Sequence, residues 1–570
     1  MRKHLRSVYK ITTRCLDVRK AYSSRRMNEI KVRLAPGPPM PKTLKPTIAC
    51  NGWPKRRDDE RRPSFADLVF YPDGRPAMPN DQDANSIARE NADYNAAIET
   101  LTKLQGNGDS IRNSISDKKL NSLVHTLKYL ERSGLTLEDV EKLSVIHVAG
   151  TKGKGSTCAL TESILRQYGA RTGFFSSPHL ATTNERIRIN GDPLPKDKFT
   201  KYFWLVYNRM LVQREHEKDM PAFFMFLTIV GFHVFIAERV DVVVLEVGLG
   251  GELDCTNILR NVRTAGITSL ALEHTALLGN TLRQIAWQKA GIIKPGAHVY
   301  THVTQPECLQ VIYERAAERR AQVFQVPSTD AYLQNADGLN EYVRLNASLA
   351  IQLTYDWLRQ TTGRLHRDYP INERHITSEV LRGLNAANWP GRCQLVEYEN
   401  MRVHLDGAHT VESIRVCCDW YQKSIRHSRN PNILVFNRTG DSDTKAILHV
   451  LQQACPFDMV CFVPNLATDQ PNDPNQANLH CSPEAQRQRA QSIAATWQQL
   501  CDSQQQQQQQ PNHGQMYNTV WDAFVAIRTR YPYHIQLDVL ITGSIHLLGA
   551  VITVLNDFHL EAPPTKNGHT

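Results

Sequence analysis

The 570-residue sequence predicts an α/β fold with two sheet-bearing domains, the first the larger. Three observations support this. Continuous β-branched runs recur, "VIHVA" (145–149), "DVVVLEV" (241–247) and "TAGITSL" (264–270), and such runs suit strands covered on both faces. Helically spaced stretches separate them, as in "TLRQIAWQKA" (281–290), and that alternation is the signature of a parallel sheet. A second set of runs, "ILVFN" (433–437), "MVCFVP" (459–464) and "DVLITGS" (538–544), follows a break at "NWPGRCQ" (388–394).

Taken in order, residues 1–26 hold nine Lys/Arg against the single acid Asp17, with Ser23 and Ser24 among them. An Arg-rich, acid-poor start is the composition of a mitochondrial transit peptide; a disordered basic tail is the plainer alternative. Met27 stands where a second start would give a form without the signal. Residues 27–90 are rich in Pro, Arg and Asp and predict an irregular extension. The first α/β domain is expected over 91–388, with a strand at 145–149 and a helix from about 156 to 168. The run "PAFFMFLTIVGFHVFIA" (221–237) is shorter than the ~20 residues of a membrane span and carries His233, so a buried helix is expected and no membrane insertion. Pro390 and Gly391 place a hinge at 389–394, and a second α/β domain follows over 395–570. Within it, 466–515 is polar and Gln-rich, with seven consecutive Gln at 504–510, which predicts a disordered insertion.

The formal charge of +10 does not signal nucleic acid, because the first 26 residues alone carry +8. A nucleic-acid surface needs its charge on the folded body. The twelve cysteines include no C-x-x-C pair and read as reduced thiols.

The stretch "GTKGKGS" (150–156) follows the 145–149 strand and precedes a helix. Glycines let backbone N–H groups converge on a phosphate at a helix start, and a lysine adds full charge at the outer phosphates. Gly150, Gly153, Lys154, Gly155 and Ser156 supply these parts of a P-loop, although Gly155 intervenes where the usual spacing puts Ser/Thr directly after Lys. An ordinary tight turn is the alternative. Glu246 ends a strand of the same pattern, where ligands of open parallel sheets gather, and is a candidate Mg²⁺ ligand or an ion-pair partner. His274 follows another strand end and Lys289 lies on the next helix. Either residue taken singly could be structural.

Set in order, "GTKGKGS", "SSPHL…NERIRING", "EVGLGGELDCTN", "LEHTALLGNTLRQIAWQKAGIIK", "WPGR", "LDGAHT", "FNRTGD" and "TGSIHLLG" resemble the folylpolyglutamate synthases, Mur-ligase-like ATP-dependent amide ligases. The resemblance covers roughly residues 91 to 560. It implies a P-loop ATPase domain followed by a smaller α/β domain, with reduced folates and L-glutamate as substrates and no nucleic-acid partner. It also implies ATP and Mg²⁺, with carbamylated Lys289 and a monovalent cation among the expected cofactors. By the same resemblance Ser177, Glu246 and His274 would hold magnesium, and Gly153, Lys154, Gly155 and Ser156 the ATP phosphates. Arg392, Asp406 and Asn437 match nucleotide-contacting positions, and Arg186, His409 and Ser544 match positions near bound glutamate. Glu273 stands where the family often has Asp, and Ser442 where it often has Arg. A dihydrofolate synthase, a bifunctional enzyme and a nucleotide-binding protein without catalysis are the rivals. The last would tolerate loss of Glu246, His274 or Lys289, and all three are present. A monomer is expected, in the mitochondrial matrix with a cytosolic form from Met27.

Overall fold

Two sheets organise the computed structural model, which describes residues 84–104, 115–327, 341–362, 376–439, 443–469, 482–504 and 514–557. The basic start, Met27, most of the 27–90 extension and most of the Gln run lie outside the described residues. So does Ser442.

The first sheet has eight strands among the described residues. They are β1 (Val145–Ala149), β2 (Thr172–Phe175), β3 (Ile187–Ile189), β4 (Asp192–Pro193), β5 (Val242–Glu246), β6 (Thr264–Ile267), β7 (His298–Thr301) and β8 (Gln322–Gln325). Their order is β4-β3-β2-β5-β1-β6-β7-β8, with the β2–β3 and β3–β4 pairs antiparallel and the other pairs parallel. Every residue of β1 and β5 is buried, as their unbroken apolar runs require. β1 is the point where the winding reverses, with β5 and β2 to one side and β6 and β7 to the other. A crevice forms beyond strand ends at such a point.

The helices of this part are α1 (Ala84–Lys103), α2 (Ile115–Arg132), α3 (Leu137–Val140), α4 (Lys154–Gln167), α5 (Lys196–Val212) and α6 (Phe223–Ala237). α7 (Thr275–Leu278), α8 (Leu282–Lys289), α9 (Pro306–Glu318), α10 (Glu341–Thr361) and α11 (Ser378–Ala386) follow. α1 begins at Ala84, inside the stretch read as irregular. α6 is the apolar run weighed as a membrane span; Phe226, Phe232 and Phe235 are fully buried in the core beside Phe199 and Phe203. Among the described residues no helix is long and apolar enough to cross a membrane.

Residues 389–394 form the turn from α11 into the second sheet. Its strands, among the described residues, are β9 (Gln394–Tyr398), β10 (Met401–Asp406), β11 (Asn432–Phe436), β12 (Met459–Phe462), β13 (Gln515–Met516) and β14 (Leu537–Thr542). They run β13-β12-β11-β14-β10-β9, parallel except for β9. α12 (Val411–Ile425), α13 (Thr444–Ala454), α14 (Pro483–Gln504), α15 (Val520–Arg530) and α16 (Ile545–Asp557) complete the chain. α14 corrects the expectation of a loop throughout 466–515. Ala490, Ile493, Trp497, Leu500 and Cys501 are buried on one side of it and close the core of α12 and α13. Helical spacing of those five positions outweighs the polar composition around them. All the described cysteines are free thiols, and all but Cys393 are buried.

Candidate active site

The C-terminal ends of β1, β2, β5 and β6 present the predicted residues of the first sheet together. β1 ends at Ala149, and Gly153 is the N-cap of α4 with φ +88°. A side chain at Gly153 would be strained and would meet the Asn346 amide at 2.4 Å. At Gly155 an added Cβ would lie 2.9 Å from the Trp389 ring. α4 begins at Lys154, two residues before its expected start. Lys154, Gly155 and Ser156 therefore belong to the first helical turn, whose N–H groups have no preceding helical carbonyl. That terminus attracts anions. The Lys154 ammonium is only 3.5 Å from the Thr151 carbonyl, a weak tether.

Lys289, at the end of α8, is 4% exposed, and its ammonium donates to the Gly150 carbonyl at 2.6 Å. Burial pushes its pKa down to about 7, and neighbouring Lys154 and Lys152 push the same way against Glu273 and Asp254. A substantial share of the amine is then neutral near pH 7. Across the crevice Glu246 is 3% exposed at the end of β5. One of its oxygens accepts the Ser177 backbone N–H at 3.1 Å. Burial raises its pKa, while Lys154, the Ser177 N–H, Arg392 and Arg186 pull it back. The structure thus brings Ser177 and Glu246 into direct contact. His274 stands on the loop after β6 with φ 51°, exposed but with part of its ring packed against the site. Loss of hydration lowers its pKa; Glu273 opposes and Lys289, Lys154 and Lys152 add to the effect.

Among the described residues no three His, Cys, Asp or Glu side chains converge as a ready-made metal cage. Magnesium does not need one. It keeps several waters and takes one or two carboxylates plus substrate phosphates. Glu246 fits that donor set: it is buried, and the single bond it makes among the described residues leaves further lone pairs for a ligand.

The second sheet approaches through the turns after β10, β11 and β14. Asp406 is buried, and its two oxygens accept the backbone N–H groups of Cys393 and Ala408 at 2.8 and 2.9 Å. Its first task is to fold the Arg392 turn. The Arg392 guanidinium donates to the Gly391 carbonyl at 3.0 Å and exerts its charge on both Asp406 and Glu246. Asn437 is buried, with its amide donating to Asn465 at 2.9 Å and its oxygen accepting Arg438 N–H at 2.7 Å. Ser544 is buried beside Thr439, 3.4 Å between hydroxyls. The His409 Nδ1 donates to the Gly407 carbonyl at 2.9 Å, which leaves Nε2 to accept from the Lys152 ammonium at 2.9 Å. Lys152 also donates to Glu273 at 2.7 Å.

Arg186 ends a 3₁₀ turn, Thr183–Arg186, and lies over the Phe223 ring at 5.1 Å. It is buried, which lowers its pKa to about 10 against the fields of Glu246 and Glu185.

The backbone and motif arrangement match a family with many relatives. No family model matches the chain. The mitochondrial folylpolyglutamate synthase of Cricetulus griseus is 43% identical over 406 residues, 66% of this chain and 68% of that protein. The human enzyme of the same name is 42% identical over 407 residues, with the same coverage. The putative folylpolyglutamate synthase of Caenorhabditis elegans is 33% identical over 484 residues, 81% of this chain and 92% of that protein. This chain belongs to the folylpolyglutamate synthases. Solved structures agree on the fold. The Mycobacterium tuberculosis folylpolyglutamate synthase complexed with ADP aligns with a TM-score of 0.61 at 21% identity, covering 82% of this chain and 99% of that one. E. coli FolC in complex with DHPP and ADP aligns with a TM-score of 0.57 at 24% identity, covering 80% and 99%.

Within this family fold, two site features had escaped the sequence reading. Asp254 is buried behind the glycine turn, accepting Leu249 and Thr256 N–H at 2.8 and 3.0 Å, and its field reaches Lys154 and Lys289. Lys152 joins the two sheets' loops. Neither had a local signal beyond sitting inside a motif. A cleft of about 540 Å³ beside α4 and β3 contains none of the predicted site residues. Its wall includes Trp389, the residue that also abuts Gly155.

Proposed function

We propose that this chain adds L-glutamate to the γ-carboxylate of tetrahydrofolate and its polyglutamates at the C-terminal edge of the first sheet, using ATP. The folate carboxylate attacks the γ-phosphorus of ATP, giving an acyl phosphate and ADP. The glutamate amine then attacks the acyl carbon, phosphate departs, and the amine loses a proton. The observation that best supports this assignment is the β1–α4 turn. It combines a helix N-terminus, a weakly tethered Lys154 and a lysine, Lys289, bonded to the turn's own carbonyl, opposite buried Glu246.

In this reading the first-turn N–H groups of α4, from Lys154 to Ser156, and the Lys154 ammonium cradle the ATP phosphates, beside Gly150 and Gly153. Arg392 adds a cation from the second sheet, held by the turn that Asp406 anchors, with Asn437 nearby on the loop after β11. Ser177, Glu246 and His274 would hold Mg²⁺, which supplies charge neutralisation at the phosphates when bound. Arg186, His409 and Ser544 face the incoming glutamate, Arg186 toward its carboxylate. Lys289, kept partly neutral by burial, attacks the carbon of CO₂ through its amine nitrogen and releases one proton to water, giving a carbamate, an anion near the metal site. Positioning and preorganised charge are the main sources of catalysis for such a transfer.

Four further elements complete the proposal. Residues 1–26 direct mitochondrial import and a product begun at Met27 stays cytosolic; relatives bearing the mitochondrial name support the first half. The enzyme acts as a monomer, and a monovalent cation supports turnover. The deciding experiment is ADP release with glutamate plus tetrahydrofolate or dihydropteroate. Release with tetrahydrofolate is expected. Release only with dihydropteroate would reassign the acceptor, and release with neither would sink the ligase reading. A reporter fused to residues 1–26, sedimentation, and omission of potassium test the remaining parts.

A further inference from the structure

Arg186 is a buried cation with no anion bonded to it. Among the described residues no carboxylate lies within ion-pair distance. Glu185, its neighbour, spends its oxygens on the backbone N–H groups of Leu180, Ala181 and Thr182 at 2.9, 2.9 and 2.7 Å. Glu246 bonds the Ser177 N–H. What Arg186 does bond is His179, with its Nε donating to Nδ1 at 2.9 Å. Nε is the inner nitrogen of the guanidinium. Held there, with its central carbon 5.1 Å from the centre of the Phe223 ring, the group makes no bond through its two terminal nitrogens among the described residues, which leaves them as a fork. That fork matches a carboxylate bidentately.

We propose that His179 is a positioning residue: it fixes the Arg186 guanidinium by its Nε so that the terminal nitrogens receive the α-carboxylate of the incoming amino acid. The substrate named here rests on the ligase reading above; the bond and its purpose rest on the geometry. Imidazole suits the task better than a carboxylate would. A carboxylate at 179 would neutralise Arg186 and compete with the ligand. An uncharged ring holds the donor and leaves the positive charge available. Nδ1 accepts only when it carries no proton, so the ring proton sits on Nε2.

Three variants test the assignment. In His179→Asn the amide oxygen takes the place of Nδ1 and can accept the same bond. In His179→Leu the acceptor is gone at similar bulk, and Arg186→Lys removes the fork. We expect His179→Leu to raise KM for glutamate by roughly 10-fold or more, the scale of a lost charge-assisted bond, with kcat and KM for ATP nearly unchanged. His179→Asn should stay within about 3-fold of the parent, since it keeps one such bond. Equal loss in Asn and Leu variants that melt like the parent would overturn the proposal, as would an unchanged glutamate KM in His179→Leu. A second readout needs no activity. In ¹⁵N-arginine-labelled protein the Arg186 Nε–H resonance, assigned by its absence in Arg186→Lys, should exchange slowly in the parent and in His179→Asn and quickly in His179→Leu. Slow exchange in the Leu variant would overturn the bond itself. If the parent forms no ADP with any acceptor, the ligase reading fails while this measurement still decides the role of His179.

Discussion

At the edge of the first sheet, Glu246 and Lys289 are buried with few bonds; at the matching edge of the second, Asp406 and Asn437 are buried with more. Among the described residues Glu246 has one backbone donor and Lys289 one backbone acceptor. Asp406 and Asn437 occupy similar strand-end positions, yet Asp406 is saturated by two N–H groups and Asn437 by Asn465 and Arg438. Two mostly parallel sheets therefore divide the labour. The first keeps under-satisfied groups poised for a ligand, and the second spends its polar groups on holding loops in shape. Poised groups cost stability and cluster where chemistry happens. Substitutions at the two edges should fail in different ways, activity without stability at the first and both together at the second.

The largest effect is expected at Lys154. Its ammonium contributes almost nothing to the fold, so Lys154→Ala should leave the melting temperature within the error of the measurement. Turnover should fall roughly 10²–10³-fold, the usual loss on removing one preorganised charge contact from a transition state. Steady-state rates at limiting ATP check this. A variant that loses stability instead would erase the contrast between the edges.

Lys289 comes next. Lys289→Ala should lose most activity, and acetate should restore part of it; Lys289→Arg should stay inactive, because guanidinium keeps the charge and forms no carbamate. Active Lys289→Arg would return the residue to an ordinary cation. The same site predicts a pH dependence of stability. A lysine whose folded pKa is about 7, against roughly 10.4 unfolded, binds fewer protons in the folded state between those values. Stability must rise with pH across that window, and the full cost of burying the ammonium is felt below pH 7. In CO₂-free buffer Lys289→Met should therefore be more stable than the parent at pH 6, by roughly a few kcal/mol, and the gap should close toward pH 10. Denaturant midpoints at the two pH values measure it.

Why the first edge was readable and the second only partly so follows from where the signals lie. The glycine turn, Glu246 and the strands around them are local: an apolar run, then punctuation by Gly, then a helix. The start of α4 was misplaced by two residues because Gly153 and Gly155 read as loop, although Gly155 lies inside the helix. At the second edge Asp406 could be placed in a motif, but its bonds to Cys393 and Ala408 depend on how a turn folds back, which no spacing reveals. Lys152 and His409 are 257 positions apart, and His179 looked like one more motif letter. α14 was hidden by composition, since glutamines mask five apolar positions that a helix brings to one side.

Asp406→Asn should show the second edge's behaviour. One of the two backbone N–H groups would face an amide NH₂, leaving a buried donor unsatisfied at a cost of about 1–3 kcal/mol. Stability and ATP affinity should fall together, because the same turn carries Arg392. Thermal melts with and without ATP separate the two. Weakened ATP affinity at parental stability would mean that Asp406 acts on the nucleotide alone and not through its turn.

The smallest effect is expected where the two edges meet, at Lys152, Glu273 and His409. The Glu273 carboxyl is pushed up by burial yet held well below the usual carboxylate range by the neighbouring Lys152 ammonium. A depressed carboxyl contributes stability above its unfolded pKa and loses it as pH falls through the folded one, so this contribution is complete at pH 7. It is also small, because the Lys152 and Glu273 side chains keep 34% and 25% of their exposure and water screens the pair. A double-mutant cycle of Glu273→Gln and Lys152→Met should give a coupling energy below about 1 kcal/mol in unfolding. Its kinetic effect should be a rise of a few-fold in KM for glutamate, because His409 loses the partner that orients it across the gap. A coupling of several kcal/mol would make this contact a structural tie like those of the second edge, and the division between poised and saturated edges would no longer hold at their junction.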